Sequence, residues 1–407
     1  MRVLVVGSGG REHALAWALA RSPSVTELHA ARGNPGIADL AHCHPVSEMD
    51  GEALCGLARA HAIDLVVIGA EAPLVAGVAD TLRHQGVAVF GPGAAAAQIE
   101  GSKGFAKDVM EAAGVPTARR LPEAVAPCVI KADGLAAGKG VVVCRDETDI
   151  AAGLEVVREL GGEILVEELL EGPEVSLFAL CDGRNAIALP AATDFKRAYD
   201  GDEGPNTGGM GSYAPVAEVD AARADELLDL TVRPVLDELA NRGTPFIGVL
   251  FVGLMMTPDG PRVLEYNCRF GDPETQSVLP LLDGDLAAAL AAAAAGDLSD
   301  VDIAGSDRAA VTLVVTAATY PEAPLQGTRI LGIDEAIAEG ALVFHAGTAL
   351  LDGNLVAAGG RILNITGTGA TVGEARDLAY RAARCIELPG SRFRTDIART
   401  AAATSLQ

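Results

Sequence analysis

The stretch from Lys131 to Val141 constrains the fold of this chain more than any other. It reads KADGLAAGKGV and joins two runs of apolar β-branched residues, which predicts a turn between two strands. Its three glycines can adopt backbone angles closed to other residues, so main-chain N–H groups can approach an anion, and its two lysines add positive charge. An ordinary hairpin would explain the same glycines, so phosphate binding and a plain turn both stay open on this stretch alone.

Length and charge exclude several classes of protein. A chain of 407 residues predicts about two to four domains, and a hydrophobic content of 49% excludes disorder. The net charge of -24 argues against nucleic acid or an anionic membrane as a partner, because most of the surface would repel a polyanion. Any phosphate site must therefore be a local concentration of basic side chains, backbone amides or metal.

The cysteines and the apolar runs point to a cytoplasmic protein. Seven cysteines form no C-x-x-C pair and show no ligand-like clustering with the seven histidines, so neither a zinc site nor a disulfide framework is predicted. The first apolar run is too short for a signal peptide, and the alanine-rich run from Leu286 to Gly296 is too short to cross a bilayer of about 30 Å. We expect a cytoplasmic monomer or weak homo-oligomer that acts on small molecules.

Residues 1–100 alternate short Val, Ile and Leu runs with helical stretches, which predicts a parallel α/β sheet. The predicted strands are 3–6, 65–68 and 87–90, and the predicted helices are 12–20 and 74–84. Open sheets of this kind bind ligands at the carboxyl ends of their strands. Such ends carry glycine-rich or acidic loops at residues 7–12, 33–36 and 69–73.

The first of these loops does not match the dinucleotide pattern G-x-G-x-x-G. Glu12 stands where the third glycine belongs, and that glycine is what allows close helix packing in the pattern. NAD or FAD binding is therefore not predicted. A phosphate at the start of the following helix and a turn without any ligand both stay open.

Residues 115–176 predict a small unit built from a strand, the glycine loop, a strand over 141–144, a helix over 147–160 and a strand over 163–168. A small sheet with glycine-rich joints suggests a lid. Residues 194–213 are too polar and too rich in glycine for a strand or a helix, so we expect a long loop there.

The rest of the chain predicts a single helix over 221–242 and two strands over 249–256 and 261–267. Beyond about residue 300, strands alternate with glycine turns and with one helix over 371–385. This pattern predicts a last α/β domain.

The strand that ends at Asn267 offers a candidate metal site. Side chains alternate between the two faces of a strand, so Glu265 and Asn267 share a face, and Arg269 joins them if the chain stays extended. Two oxygen ligands beside a guanidinium suit Mg²⁺ and a phosphate, because Mg²⁺ prefers hard oxygen donors and arginine can grip phosphate bidentately. An exposed polar strand with a structural Glu–Arg pair stays open as the alternative.

The glycine loop does not match a Walker P-loop. The spacing from Gly134 to Gly138 is wrong, and Gly140 stands where Ser or Thr should follow the lysine. The loop also joins strand to strand rather than strand to helix. Phosphates would thus be held by a hairpin on one side and by metal on another sheet, which places a nucleotide between two sheets.

These segments together resemble the phosphoribosylamine–glycine ligase family of ATP-grasp enzymes. The resembling segments are, in chain order, residues 3–14, 69–74, 100–103, 131–141, 204–211, 265–276, 345–348 and 359–361. The resemblance implies an α/β fold, α+β overall, with ATP-grasp architecture. It implies an N-terminal parallel α/β domain for phosphoribosylamine (1–101), an ATP-grasp domain (102–290) with a mobile lid at about 117–180, and a C-terminal α/β domain (291–407).

The resemblance also implies the reaction, which is ATP-dependent ligation of glycine to 5-phosphoribosylamine, with ATP as co-substrate and Mg²⁺ or Mn²⁺ as the ion. The residues implied for catalysis are Arg269, Lys131 and Asp272, and those implied for the metal are Glu265 and Asn267. The residues implied for ATP are Lys103, Lys131, Gly134, Gly138, Lys139, Gly140, Glu167, Glu168, Leu169, Leu170, Glu174 and Lys196. The residues implied for the other substrates are Gly9, Gly10, Glu12, Asn34, Glu71, Pro73, Asn206, Gly208, Arg269 and Asp272.

Three departures from the family pattern affect these expectations. Phe195 stands where the family usually has histidine, and Pro173 replaces one of two adjacent acids, which leaves Glu174 alone for the ribose. The lid is a few residues short between Cys144 and Ile164, which puts its outer helix in doubt. Another ATP-grasp carboxylate–amine ligase and a nucleotide sensor without chemistry stay as alternatives.

Overall fold

The computed structural model describes residues 1–135 and 140–404, and its N-terminal part is a five-stranded sheet in the order β3-β2-β1-β4-β5 with all pairs parallel. Its elements are β1 (Arg2–Gly7), α1 (Gly10–Ala20), β2 (Glu27–Arg32), β3 (His42–His44), α2 (Gly51–Ala60), β4 (Leu65–Ile68), α3 (Glu71–Val75), α4 (Val78–His84), β5 (Val89–Phe90), α5 (Ala94–Gly101) and α6 (Lys103–Ala112). The predicted parallel sheet is confirmed. The single helix predicted over 74–84 is wrong, because the chain turns at Gly77, where φ is +83°.

The next unit, here called the lid, is a three-stranded antiparallel sheet in the order β7-β6-β8 with one helix against it. Its elements are β6 (Cys128–Ala132), β7 (Val141–Cys144), α7 (Glu147–Leu160) and β8 (Ile164–Glu168). The predicted hairpin is confirmed, with Lys131 paired to Val141. The helix that the short lid put in doubt is present, and Asp146 caps its N-terminus by accepting N–H groups of Thr148 and Asp149.

The central part supplies five strands of a large antiparallel sheet and the helices that cover it. Its elements are β9 (Glu174–Asp182), β10 (Ala186–Asp194), β11 (Arg197–Tyr199), β12 (Glu203–Asn206), β13 (Gly211–Ala214), α8 (Ala221–Thr231), α9 (Arg233–Asn241), β14 (Ile247–Thr257), β15 (Gly260–Asn267), α10 (Glu274–Val278), β16 (Leu282–Gly284) and α11 (Leu286–Ala295). The single helix predicted over 221–242 is wrong, because it breaks before Arg233 and restarts with Pro234 in its first turn.

The long loop predicted over 194–213 is also wrong. The segment contains the hairpin β11–β12 and the strand β13, which pairs with a distant strand of the C-terminal part. Gly211 is required there, because a Cβ on it would lie 2.6 Å from the carbonyl oxygen of Thr312 on that strand. A glycine that reads as a loop residue in the sequence thus permits close approach of two backbones.

The C-terminal part extends the same sheet. Its elements are β17 (Ile303–Gly305), β18 (Ala309–Ala317), β19 (Leu325–Arg329), α12 (Ile333–Ala338), β20 (Leu342–His345), β21 (Thr348–Leu351), β22 (Asn354–Gly359), β23 (Arg361–Gly369), α13 (Val372–Ala383), β24 (Ser391–Arg392) and α14 (Arg399–Thr404). The prediction of one helix here is wrong, since α12 and α14 accompany α13. The strand order β15-β14-β9-β10-β13-β18-β23-β20 runs through both parts, and β24 pairs with β18.

Buried hydroxyl groups connect the strands where the two parts of this sheet meet. Ser277 lies 2.8 Å from Ser212 and 2.7 Å from Thr312, measured between hydroxyl oxygens, and Thr312 lies 2.8 Å from Thr366. All four residues are buried, so each hydroxyl needs a partner inside the protein. None of the described helices combines the length and apolar character that crossing a membrane requires.

Candidate active site

A cleft of about 350 Å³ opens where the N-terminal, central and C-terminal parts meet. Its lining residues are Ser8, Gly9, Gly10, Asp272, Tyr320, Ala346, Gly347, Gly360 and Arg361. The structure therefore brings together Gly9, Gly10 and Asp272, which were predicted for the substrates from distant parts of the chain. A Cβ on Gly10 would lie 2.2 Å from the side-chain nitrogen of Asn364 and 3.0 Å from that of Gln276, so glycine lets this turn pack directly against both amides.

Glu12 and Asn34 shape this cleft from inside its loops. Glu12 is buried, and its carboxylate accepts the backbone N–H of Gly9 at 2.7 Å and the Nε–H of Arg11 at 2.6 Å. The side-chain amide of Asn34 donates to the carbonyls of Ser8 and His345, both at 2.9 Å. These polar groups hold the predicted substrate loops in place, and their direct contact with a substrate stays a prediction.

Four buried or half-buried charges lie together at the edge of the cleft. Arg269 donates to Glu71 at 3.2 Å and to Glu100 at 2.7 Å, and Arg11 lies 3.6 Å from Glu71. Burial alone would raise the pKa of Glu71, but the two guanidinium groups outweigh it and lower the pKa to about 2. With its further bond to the carbonyl of Phe270, Arg269 uses three of the five N–H donors of a guanidinium, which leaves two for a phosphate.

Pro73, another predicted substrate residue, is buried within α3, two residues after Glu71. It contributes to this region as part of the helix that carries Glu71. Its contact with phosphoribosylamine stays a prediction.

Glu265 and Asn267 on β15 form what we call the ledge. Both are half-buried, whereas Tyr266 between them is buried and donates its hydroxyl to the carbonyl of Thr231 at 2.5 Å, on the other face of the strand. Among the described residues, no hydrogen bond or ion pair engages the Glu265 carboxylate or the Asn267 amide. Two free hard oxygen donors on one face fit a divalent ion such as Mg²⁺ or Mn²⁺.

Lysines face the ledge from the lid and from α6. Lys131 donates to the carbonyl of Leu264 at 3.0 Å and lies 2.7 Å from the carboxylate of Glu167, which Lys107 contacts from the other side at 2.5 Å. Burial would raise the pKa of Glu167, but the two ammonium groups outweigh it and lower the pKa. Burial lowers the pKa of Lys103, an effect that the nearby Glu265 opposes.

The turn of the lid docks on the N-terminus of α6. The carboxylate of Asp133 accepts the backbone N–H of Lys103 at 2.5 Å and of Gly134 at 2.9 Å, and Ser102 donates to it at 3.0 Å. Lys103 Nζ donates to the carbonyl of Gly134 at 2.9 Å. Gly140 closes the turn, since its carbonyl accepts the N–H of Ala132 at 2.8 Å.

Gly138 and Lys139, both predicted to bind ATP, lie outside the described residues.

The segment after β8 leaves backbone groups available for an adenine ring. The carboxylate of Glu168 accepts two hydrogen bonds from Arg119, one from the backbone N–H at 3.0 Å and one from the Nε–H at 2.8 Å. Beyond it, Leu169 and Leu170 have no hydrogen-bonded backbone partner within the described part of the chain. Nearby in the sequence, Glu174 is partly exposed and lies 2.7 Å from Lys196 Nζ. The free backbone groups of Leu169 and Leu170 can pair with the edge of a purine base, and Glu174 has a second carboxylate oxygen free for a ribose hydroxyl.

Lys196 lies between two carboxylates, at 2.7 Å from Glu174 and 2.8 Å from Asp194. Burial would lower the pKa of the Lys196 ammonium, but both carboxylates outweigh it and raise the pKa well above its ordinary value. Lys196 is therefore a fixed cation at the predicted nucleotide side of the sheet.

Asn206 and Gly208 were predicted together but lie in different places. Asn206 lines a separate cavity of about 310 Å³ between the hairpin β11–β12 and strand β7 of the lid. Gly208 lies at the cleft, where its N–H donates to the Tyr320 hydroxyl at 3.2 Å and its carbonyl accepts from Arg361. Only Gly208 is therefore placed beside Asp272.

Several groups in this region were not among the residues predicted for the site. Arg361 lies 3.2 Å from the carboxylate of Asp272 and also donates to its carbonyl at 2.9 Å, so it fixes that residue from the C-terminal part. Glu274 is buried, and burial raises its pKa to about 7, with the neighbouring Asp194 adding to the effect. Arg361, Glu100 and Glu274 stood in segments that resemble the family, whereas nothing in the sequence around Tyr320 predicted its place.

A small antiparallel lid facing a large antiparallel sheet, with lysines on one and unpaired oxygen donors on the other, defines an ATP-grasp enzyme. Three family models cover most of the chain, and they describe phosphoribosylglycinamide synthetase: its N domain matches residues 1–100, its ATP-grasp (A) domain 101–275 and its C domain 310–400. The chain belongs to the phosphoribosylglycinamide synthetase family.

Relatives and solved structures agree with this assignment. The chain is 52% identical to phosphoribosylamine–glycine ligase from Streptomyces coelicolor, covering 99% of this chain and 100% of the relative, and 48% identical to that from Corynebacterium ammoniagenes, covering 98% of each. The crystal structure of phosphoribosylamine–glycine ligase from Thermotoga maritima matches with a TM-score of 0.83 and 35% identity over 98% of this chain and 100% of the other.

A more distant match shows the fold alone. The biotin carboxylase domain of 2-oxoglutarate carboxylase from Hydrogenobacter thermophilus, in complex with MgADP, has a TM-score of 0.69 at 18% identity, over 96% of this chain and 91% of that one.

Proposed function

We propose that this chain is an ADP-forming ligase that joins glycine to 5-phosphoribosylamine at the expense of ATP, in purine biosynthesis. The observation that carries the proposal is the ledge. Glu265 and Asn267 lie free beside Lys103, opposite a lid that brings Lys131 to the same strand. A triphosphate held there would meet cations from the lid and from α6 while its metal ion rests on the ledge.

The reaction proceeds in two displacements. A carboxylate oxygen of glycine attacks the γ-phosphorus in line, the bond from that phosphorus to the β–γ bridging oxygen breaks, and ADP leaves. The amine nitrogen of phosphoribosylamine then attacks the carbonyl carbon of glycyl phosphate, inorganic phosphate leaves and the nitrogen loses a proton. No protein nucleophile is needed, so the chain acts by positioning and by offsetting charge.

The divalent ion, when bound by Glu265 and Asn267, offsets negative charge on the phosphates. Lys131 and Lys103 add fixed positive charge at the same place, and two N–H donors of Arg269 are free to join them. The lid covers the site and excludes water, which would otherwise hydrolyse the glycyl phosphate. Mg²⁺ or Mn²⁺ as the ion, a cytoplasmic location and a monomeric or weakly associated state stay predictions.

The three substrates occupy different parts of the site in this proposal. Leu169 and Leu170 offer free backbone groups to adenine, and Glu174 offers an oxygen to its ribose. Phosphoribosylamine lies on the glycine-rich turn at Gly9 and Gly10, which lines the cleft. Glycine lies near Asp272, which lines the cleft and is held there by Arg361. Asn206 lies in the separate cavity beside the lid, and its contact with glycine or phosphoribosylamine stays a prediction.

A coupled assay tests this function. We expect release of phosphate from ATP only when glycine and phosphoribosylamine are both present. Equal turnover with alanine in place of glycine would refute the assignment of the acid and favour another carboxylate–amine ligase of the same fold. Binding of ATP without any turnover under all combinations would refute a ligase altogether.

A further inference from the structure

Four of the seven histidines converge on one face of the N-terminal sheet. In the parallel register His29 of β2 pairs with His42 of β3, and Ala31 pairs with His44, so these side chains share a face. His61 ends helix α2 and lies over the same rings. None of these residues lies in the cleft or on the ledge.

The nitrogen atoms of three of these histidines are close enough to share an ion. His29 Nδ1 lies 3.0 Å from His44 Nε2, and one ligand atom from each of His29, His44 and His61 lies within 4.8 Å of the others. A tetrahedral Zn²⁺ with bonds of 2.0–2.1 Å needs donors about 3.3 Å apart. The nitrogens of His29 and His44 are already near that spacing, and the nitrogen of His61 lies within 4.8 Å of both.

The surroundings of His29 match those of a metal-bound histidine. Its Nε2 is buried and makes no well-aligned hydrogen bond among the described residues, yet it lies 3.2 Å from a carboxylate oxygen of Glu27. If Nδ1 binds an ion, Nε2 carries the hydrogen and has that carboxylate within hydrogen-bonding distance as an acceptor, which is how proteins orient metal-bound imidazoles. Arg2 lies 3.2 Å from the other oxygen of Glu27 and so holds the acceptor in place.

The donors select the kind of ion. Imidazole nitrogen suits zinc and the later transition metals, whereas Mg²⁺ and Mn²⁺ prefer the oxygen donors of the ledge. Cys43 is not a donor, because its thiol lies against Gly33 on the opposite face of the sheet.

We propose that His29, His44 and His61 form a binding site for one Zn²⁺ ion, separate from the catalytic metal. Water completes the coordination, and the exposed His42 is the nearest further donor. The ion would tie β2, β3 and the end of α2 together at the edge of the sheet. It would therefore stabilise the N-terminal part without entering the chemistry.

Zinc binding to the full chain tests this site. Metals are first removed with a chelator, and excess Mg²⁺ is then added to saturate the oxygen-donor site at the ledge. Titration calorimetry should show one equivalent of Zn²⁺ bound, and Co²⁺ in its place should give the absorption bands of a tetrahedral nitrogen-rich site. We expect His61→Ala and His44→Ala each to weaken binding at least about 100-fold and Glu27→Gln about tenfold. His84→Ala, which removes an exposed histidine from α4, is the matched control and should bind as the wild type does.

Less than one equivalent bound, or equal affinity in His61→Ala and the wild type, would overturn the proposal. His61 lies at a helix end, so His61→Ala should keep the fold, and circular dichroism checks that it does. If His44→Ala fails to fold, His61→Ala and Glu27→Gln still decide the matter. Turnover with Mg²⁺ should be unchanged in folded variants, so this test is independent of the proposed function.

Discussion

The lid and the rest of the chain, here called the body, rest on very different amounts of core. The buried apolar core of the lid consists of six described residues, which are Cys128, Ile130, Ala132, Cys144, Ile150 and Val157. The body buries several dozen apolar side chains in continuous clusters on its two sheets. The lid also exposes large apolar side chains, among them Val156 and Leu160.

The difference in core size indicates that the lid can move relative to the body and that charged contacts control this movement. A small core supports a unit that keeps its own shape but adds little to the stability of the whole, so the lid can move as one piece. What joins the lid to the body is mostly charge, through Glu167 between two lysines and Asp133 at the N-terminus of α6. The ledge, in contrast, stands on a strand at the edge of the large sheet and stays fixed.

The largest effect is expected at the ledge. Glu265→Ala removes one of two unpaired oxygen donors, so turnover should fall by about 100- to 1000-fold with little change in stability. Steady-state kinetics at saturating ATP measure it. The matched control is Asp259→Ala, which removes an exposed carboxylate from the turn between β14 and β15 and should leave turnover unchanged. Wild-type turnover in Glu265→Ala would show that the ledge does not hold the ion.

The second effect concerns the joint between lid and body. Glu167→Gln leaves two buried ammonium groups without their counter-charge, so unfolding free energy should fall by about 3 kcal/mol. Urea unfolding measures this loss, with the exposed Glu163→Gln as control. Because folding lowers the pKa of Glu167, its contribution is present above the ordinary pKa of about 4.3 and lost as the pH falls through the lowered value. Equal stability of both variants would contradict a charged joint.

The third effect is a dependence of the body's stability on pH, which two buried histidines should cause. His13 and His345 are buried where α1 meets β20, the N–H of His345 donates to His13 Nδ1 at 2.7 Å, and burial lowers their pKa values to about 3 and about 4. Below about pH 6.5 the unfolded chain binds protons that the folded chain does not, so stability falls on acidification, by about 2 kcal/mol per histidine between pH 7 and pH 5.

Urea midpoints across this pH range measure that slope. His13→Asn keeps an acceptor near Nδ1 but does not titrate, so its stability should depend less on pH, while the exposed His84→Asn should match the wild type. Identical slopes in all three proteins would place the acid sensitivity elsewhere, for instance in the lid.

The smallest effect is expected at Phe195. Its ring lies 5.2 Å from the guanidinium of Arg394 and packs against the C-terminal core. Phe195→His should therefore change the free energy of unfolding by less than about 1 kcal/mol and turnover by about twofold at most. A large gain in turnover would mean that the histidine usual at this position acts in the reaction and that its loss here matters.

Local patterns were predictable because they depend on neighbouring residues. The strand over 65–68, the hairpin around Lys131 and the helix over 147–160 all follow from apolar periodicity and turn residues. Residues 194–213 were misread in part because β13 is held by pairing to β18, about a hundred residues away, rather than by its own propensities.

The candidate site was predictable in part for the same reason. Glu265 and Asn267 share a face by strand alternation alone, and the glycine-rich turn at Gly9 and Gly10 follows from its own sequence. The partners of Arg269, the place of Arg361 beside Asp272 and the separation of Asn206 from Gly208 were not predictable, because each depends on which distant elements meet. The histidine cluster is similar, since its members come from β2, β3 and the end of α2.

By itself the sequence determined the kinds of chemistry this chain can carry: a glycine-rich turn with lysines, two oxygen donors on one face of a strand, and an acidic surface closed to polyanions. These properties reside in residue types and short spacings. The tertiary structure alone decided which charges are already paired, which oxygens are left free, and how little core the lid has. Pairing and burial are relations between distant segments, and only the packed chain creates the low-dielectric surroundings in which they take effect.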